Sequence, residues 1–210
     1  KILLPESPTQ YVVNAAAELN TWLKAATGAT LATVDSAEVN DEAKLISIGN
    51  TSALEVYGIT PDRSALGRSG YSVYRKGSNI IIVDGAYDNF GVTQGVYDLL
   101  NKYIAFEVYG PDEIYYESHD SLKLLDYNVT SIPSLDYVCA TNSDLIIDAT
   151  YRMRLGLRSE HEFFSTIPGT AIWHNSTKYV NPDILGAAHP DWFNAAKTDV
   201  CLTAKDRSGE

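Results

Sequence analysis

Basic residues are scarce: 16 Lys and Arg stand against 27 Asp and Glu, a net charge of −11 over 210 residues. A nucleic-acid partner needs a basic surface to displace phosphate counterions, so none is expected. An anionic membrane surface is excluded on the same ground, and no stretch approaches the roughly 20 apolar residues of a membrane-spanning helix. Cysteine is nearly absent, with Cys139 and Cys201 alone. Two are too few for a disulfide framework and leave open either one bridge or two buried free thiols. The four His are scattered. No His-x-x-x-His or Cys-x-x-Cys spacing occurs, so no metal site is expected. No Gly-Lys-Ser/Thr follows Gly91 and Gly95, and no Gly-x-Ser-x-Gly elbow is found. These absences remove a phosphate loop and an esterase-type nucleophile, and no cofactor is expected. The chain starts abruptly at Lys1, as a mature or a trimmed chain does, so a missing leader leaves its compartment open.

What is present is enough for a core. Apolar residues make up 45% and aromatics 10%, which argues against disorder over most of the length. The segment 88–103 organises the first half. Val92, Val96, Leu99, Leu100 and Tyr103 recur at helical spacing, with Asp88 or Asn89 as N-cap. Gly91 and Gly95 lie one turn apart, where glycine weakens a helix by roughly 1 kcal/mol relative to alanine. Two such residues predict close approach of another backbone, and the apolar strand at 80–83 is the expected neighbour. An earlier helix is predicted from Ser7, as N-cap in a capping box with Gln10, to Gly28, with Val12, Ala16, Leu19, Leu23 and Ala26 as its stripe. Strands are expected at 30–34, 45–48, 105–109 and 121–125, a loop at 60–70, and a hairpin at 71–76 and 80–84 across Gly77-Ser-Asn79. The order implies helices packed on a mixed sheet, an α/β domain at 1–125. Residues 126–133 are expected to form the joint to a second part, 126–210. There a strand is predicted at 135–140, a helix at 146–155 capped by Asp144, and a short helix at 182–188.

With these elements placed, the first part resembles the N-terminal domain of bacterial α-glucuronidases and the second domain of β-N-acetylhexosaminidases. The resemblance rests on the helix end at 16–28, Ile46-Ser-Ile-Gly49, Gly70-Tyr-Ser-Val73, the strand at 80–85, and Gly91-Val-Thr-Gln-Gly-Val-Tyr-Asp-Leu-Leu100. The second part is similar to the region that follows this domain in a large bacterial family of glycosidase-like proteins. It carries Trp173-His174, then His189-Pro-Asp-Trp-Phe193, then Cys201-Leu-Thr203. Where relatives are expected to carry an arginine after Pro133, this chain has Val138-Cys139-Ala140. The resemblance implies that residues from about 126 begin a (β/α)8 barrel. Such barrels run to about 250 residues, so the barrel would be truncated. It also implies a secreted or cell-surface protein and a carbohydrate partner. The implied function is part of a glycoside hydrolase acting on polysaccharide or glycan. A non-catalytic carbohydrate-binding or interaction module is the alternative.

Glycoside hydrolysis generally needs two carboxylates facing one bond, and no convincing pair can be picked out, so the catalytic residues stay unassigned. Asp112 and Glu113 follow Gly110-Pro111 and are expected to be solvated. The candidate substrate-binding residues are Trp173, His174, Asn175 and Asp136. Tryptophan stacks on a sugar ring, and His, Asn and Asp pair with its hydroxyls. The other reading of Trp173 and His174 is an exposed aromatic beside a solvated imidazole. In 189–193, Pro190 is expected to set a turn, with Trp192 and Phe193 plugged into a core. Sequons at Asn50, Asn128 and Asn175 matter only in a eukaryotic secretory pathway.

Overall fold

The computed structural model describes residues 1–135, 137–140, 148–159 and 181–193. The chain divides into two compact units, Lys1–Phe163 and Phe164–Glu210.

The first unit is built on a six-stranded mixed sheet. In chain order its first strands are β1 (Ile2–Leu3), β2 (Thr33–Val34), β3 (Ile46–Ile48), β4 (Tyr71–Lys76) and β5 (Asn79–Asp84). Helix α1 (Gln10–Thr27) joins β1 to β2, and the short helices α2 (Ser52–Val56) and α3 (Arg63–Leu66) lie between β3 and β4. Helix α4 (Phe90–Ile104) follows, then a small hairpin of β6 (Glu107–Val108) and β7 (Ile114–Tyr115), then β8 (Val129–Ser131). Spatial order in the sheet is β2-β1-β3-β5-β4-β8. The β1, β2, β3 and β5 neighbours run parallel; β4 is antiparallel to both β5 and β8.

Every residue of β5 is buried, because it is central and both faces of the sheet are covered. Its side chains divide with the two-residue period of a strand. Ile80 and Ile82 join Ile2, Leu19, Val92 and Val96 under α1 and α4. Ile81 and Val83 join Leu3, Leu45, Ala53 and Leu54 on the opposite face, beneath α2. The result is a three-layer α/β domain.

Local signals were met unevenly. Gly28 ends α1 with φ 76° and donates its amide to the Lys24 carbonyl at 2.8 Å. The other end differs from expectation: Thr9, not Ser7, is the N-cap, and no side chain caps it. Pro8 and Thr9 precede the helix, so the Ser7–Gln10 capping box does not form. The loop at 60–70 contains α3, where the Asp62 carboxylate accepts from the Ala65 amide at 3.0 Å. The last strand of the sheet is β8, at the expected joint, and not 121–125, which is irregular. It pairs with β4 because the side of β4 away from β5 offers unpaired backbone groups, and the 121–125 run is held elsewhere through the Leu125 amide and the Tyr103 hydroxyl.

Beyond β8, strand β9 (Cys139–Ala140), helix α5 (Ala149–Arg154) and strand β10 (Arg158–Ser159) form a strand–helix–strand unit with its two strands parallel. Asp148 caps α5 by accepting from the Tyr151 amide at 2.8 Å. The expected cap, Asp144, lies outside the described residues.

In the second unit, Asn181 caps a short helix, α6 (Pro182–Leu185), by accepting from the Asp183 amide at 2.8 Å. A 3-10 turn follows at Pro190–Trp192. Phe193 is buried as expected, but Trp192 is 40% exposed. Its ring stacks on His189 at 3.9 Å instead of entering a core.

Candidate functional site

Helix α4 carries two faces. Its apolar face lies on the sheet, and both glycines are where the helix comes closest. A Cβ on Gly91 would stand 2.3 Å from the Gly70 carbonyl oxygen, and one on Gly95 would stand 2.6 Å from Ile82 Cγ2. The helix start is set by carboxylates. Asp88 accepts from the Phe90 amide at 3.1 Å, while Asn89 adopts a left-handed φ of 67° and donates its side-chain amide to Asp84 at 3.0 Å. Burial pushes the Asp84 carboxyl up to about 6, against the hydrogen bonds from Asn89 and the Val92 amide and the Arg63 charge.

The other face of α4 presents Gln94, Tyr97, Asp98 and Asn101, three or four residues apart. These residues, with Tyr71 of β4 and Ser131 of β8, line a cavity of about 400 Å³. Pro133, Leu135, Val138 and Gly156 complete it from the strand–helix–strand side. Asp98 accepts from the Tyr127 hydroxyl and is hydrogen-bonded to Tyr71. Burial and the Asp98 carboxylate raise both phenols above their ordinary range. They therefore stay protonated and act as donors, not as bases. The cavity's other donors are engaged within the protein: Gln94 Nε2 donates to Thr93 and the Met153 carbonyl, Asn101 Nδ2 to the Phe106 carbonyl and Glu107, and the Tyr97 hydroxyl to Glu18. What the cavity offers a ligand hydroxyl is side-chain oxygen acceptors, the Asp98 carboxylate first among them, beside tyrosine rings. It holds a single carboxylate, so it lacks the acid–base pair that glycoside hydrolysis generally uses.

Two ion pairs seat the strand–helix–strand unit next to this cavity. Glu18 of α1 accepts from Arg154 Nε at 2.7 Å and from its Nη2 at 3.0 Å. The same carboxylate accepts from the Tyr97 hydroxyl at 3.1 Å and from Trp22 Nε1 at 3.2 Å. Asp88 takes both terminal nitrogens of Arg158, which is 1% exposed. Burial pushes the Asp88 carboxyl up, but Arg158 and the Phe90 amide outweigh this and hold it below its usual value. Arg158 Nε has no hydrogen-bond partner among the described residues; the guanidinium lies instead 4.3 Å from the Phe90 ring centroid.

Trp173, His174, Asn175 and Asp136 all lie outside the described residues. The groups found here were not picked out from sequence. Asp88 had been assigned only a cap, and Glu18, Arg154 and Arg158 carried no signal. The polar stripe at 94, 98 and 101 was not read either, although its spacing matches the apolar stripe beside it. Among the described residues, no three of His, Cys, Asp or Glu come together as metal ligands.

No protein-family model matches the chain, and no curated protein does. Among solved structures the chain is similar to a family GH115 4-O-methyl-α-glucuronidase with specificity for decorated arabinogalactans. Identity is 16% and the TM-score 0.45, over 64% of this chain and 18% of that enzyme. The chain thus spans less than a fifth of the enzyme's length.

Proposed function

We propose that this chain is the N-terminal part of an extracytoplasmic glycoside hydrolase, with a supporting α/β domain and the opening of a sugar-binding (β/α)8 barrel. Two ordered sets of sequence motifs support the reading, one in residues 8–112 and one in 132–204. The structural observation that carries it is the parallel β9–α5–β10 unit, fastened to α1 by Glu18–Arg154 and to the turn before α4 by Asp88–Arg158. A parallel pair with its crossover helix is the repeating unit of a barrel. In this reading the α/β domain holds the first barrel strands in place. Trp173, His174, Asn175 and Asp136 contact sugar, and the catalytic carboxylates come from later strands.

The test uses chromogenic glucuronides and hexosaminides. The 210-residue chain is expected to turn over neither, and the full gene product is expected to cleave one of them. Trp173→Ala in the full product should raise KM more than it lowers kcat, as loss of a binding contact does. A full-length protein inert on every glycoside tried would reject the enzyme reading.

A non-catalytic carbohydrate-binding role is favoured by one observation. The Asp98 cavity sets one carboxylate beside the Tyr71 and Tyr97 rings, with no second carboxylate in its lining. Calorimetric binding of an oligosaccharide to the chain, lost in Asp98→Ala and kept in Trp173→Ala, would select that role.

A further inference from the structure

A second cavity, of about 390 Å³, reaches Lys1, Leu45, Ile46 and Ser78 at the amino ends of β1, β3 and β5, between α1 and α4. Its volume lies within the roughly 300–1,000 Å³ of small-molecule sites. Its walls are mostly aliphatic, with Tyr103 and Ser78 among them, and Leu19, Leu99 and Leu100 are among the side chains buried there. Leu122 and Leu124 line it from an irregular run. That run is fastened where the His119 amide meets the Ala26 carbonyl at 2.8 Å and the Leu125 amide meets the Tyr103 hydroxyl at 3.0 Å.

The cavity opens to solvent, so part of its apolar lining is wetted. An apolar guest removes that surface from water. A sugar does not suit the site, because its hydroxyls would be buried against leucines without partners. The charge at the cavity is one-sided. In a chain of net charge −11, the lining holds two lysines, Lys1 and Lys44, and no carboxylate. Both lysines are exposed while Leu19, Leu45, Leu99 and Leu100 are buried, so the charged groups lie at the open side, together with the exposed Leu124.

We propose that this cavity binds a medium-chain aliphatic carboxylate, with the chain among the leucines and the carboxylate at Lys44 and Lys1. The site is built from residues of the α/β domain alone, does not involve the Asp98 cavity, and does not depend on the glycan reading.

The test is calorimetric titration of the intact chain with decanoate, alongside n-decanol, decyltrimethylammonium and phosphatidylglycerol vesicles. Decanoate is expected to bind at one site and raise the unfolding temperature. Lys44→Glu should weaken decanoate about two- to tenfold and leave decanol unchanged, because an exposed ion pair is worth up to about fivefold in affinity and the reversed charge adds repulsion. Leu23→Trp places an indole in the cavity and should abolish binding. Circular dichroism and the unfolding midpoint check that this variant folds, and Leu124→Trp, on the outer run, serves if it does not. The proposal is overturned if the native chain ignores decanoate, or if decyltrimethylammonium binds as tightly. Binding to vesicles but not to free decanoate would also overturn it, as would undiminished binding in the folded tryptophan variants.

Discussion

Arg154 grips both carboxylate oxygens of Glu18, at 2.7 and 3.0 Å, across 136 positions of sequence. Both side chains are nearly enclosed, with 12% and 13% of their surface exposed. The carboxylate also serves Tyr97 and Trp22, so four donors converge on one residue. The pair ties the last residue of α5 to α1.

Glu18→Ala leaves a guanidinium and a phenol without their acceptor. The expected cost is about 3–5 kcal/mol, the range for removing one partner of a buried pair. Urea unfolding measures it. Glu18→Leu combined with Arg154→Met should cost less than the two single changes added together. Strict additivity would mean that the two side chains are not coupled.

Asp88 and Arg158 are expected to respond asymmetrically. Asp88→Ala strands a cation that is 1% exposed and also removes the acceptor of the Phe90 amide. Arg158→Met leaves a carboxylate that is 35% exposed and can be hydrated. The aspartate change should therefore be the more damaging, by about 1–2 kcal/mol on the scale of stranded charged groups. Hydrogen exchange at the Leu157 and Arg158 amides should accelerate in both variants. Equal stability of the two would contradict this account.

Backbone geometry predicts substitutions of opposite sign. Gly91→Ala drives a methyl into the Gly70 carbonyl and is expected to cost about 1–3 kcal/mol. Ala105, at the end of α4, has a left-handed φ of 50°. Ala105→Gly should stabilise by about 0.5–1 kcal/mol, the left-handed penalty less the extra entropy glycine loses on folding. Thermal unfolding of both variants is the measurement, and a destabilising Ala105→Gly would show that its methyl packs usefully.

Stability should fall with rising pH through the window set by Asp84. Burial pushes its carboxyl up to about 6, while an unfolded aspartate titrates near 3.9. Between about pH 4 and pH 6 the folded chain holds a proton that the unfolded chain has lost, so deprotonation favours unfolding. Asp84→Asn removes this dependence. Urea midpoints of the native chain and the variant should converge at the acid end and separate as pH rises, with the variant ahead. Parallel curves would show that Asp84 does not carry the effect. Asp88 acts in the opposite direction, since its lowered carboxyl adds stability that is lost on acidification below its ordinary range.

The scaffold was largely legible because its signals are local. The stripe of α1, the Gly28 stop, the 71–84 hairpin and the glycine spacing of α4 each depend on residues within a turn or a strand of one another. Misplaced features were those where local options competed. The helix start expected at Ser7 falls at Thr9, and the edge of β4 took 129–131 in preference to 121–125.

Sequence alone determined a mixed α/β architecture with a tightly laid helix, since periodicity and glycine spacing act before any distant contact forms. Only the tertiary structure decided that Glu18 meets Arg154, that Asp88 meets Arg158, and that Asp98 gathers two tyrosines. A charged or polar side chain looks the same in sequence whether solvated or paired. Its partner is settled by which surfaces the folded chain brings together and removes from water.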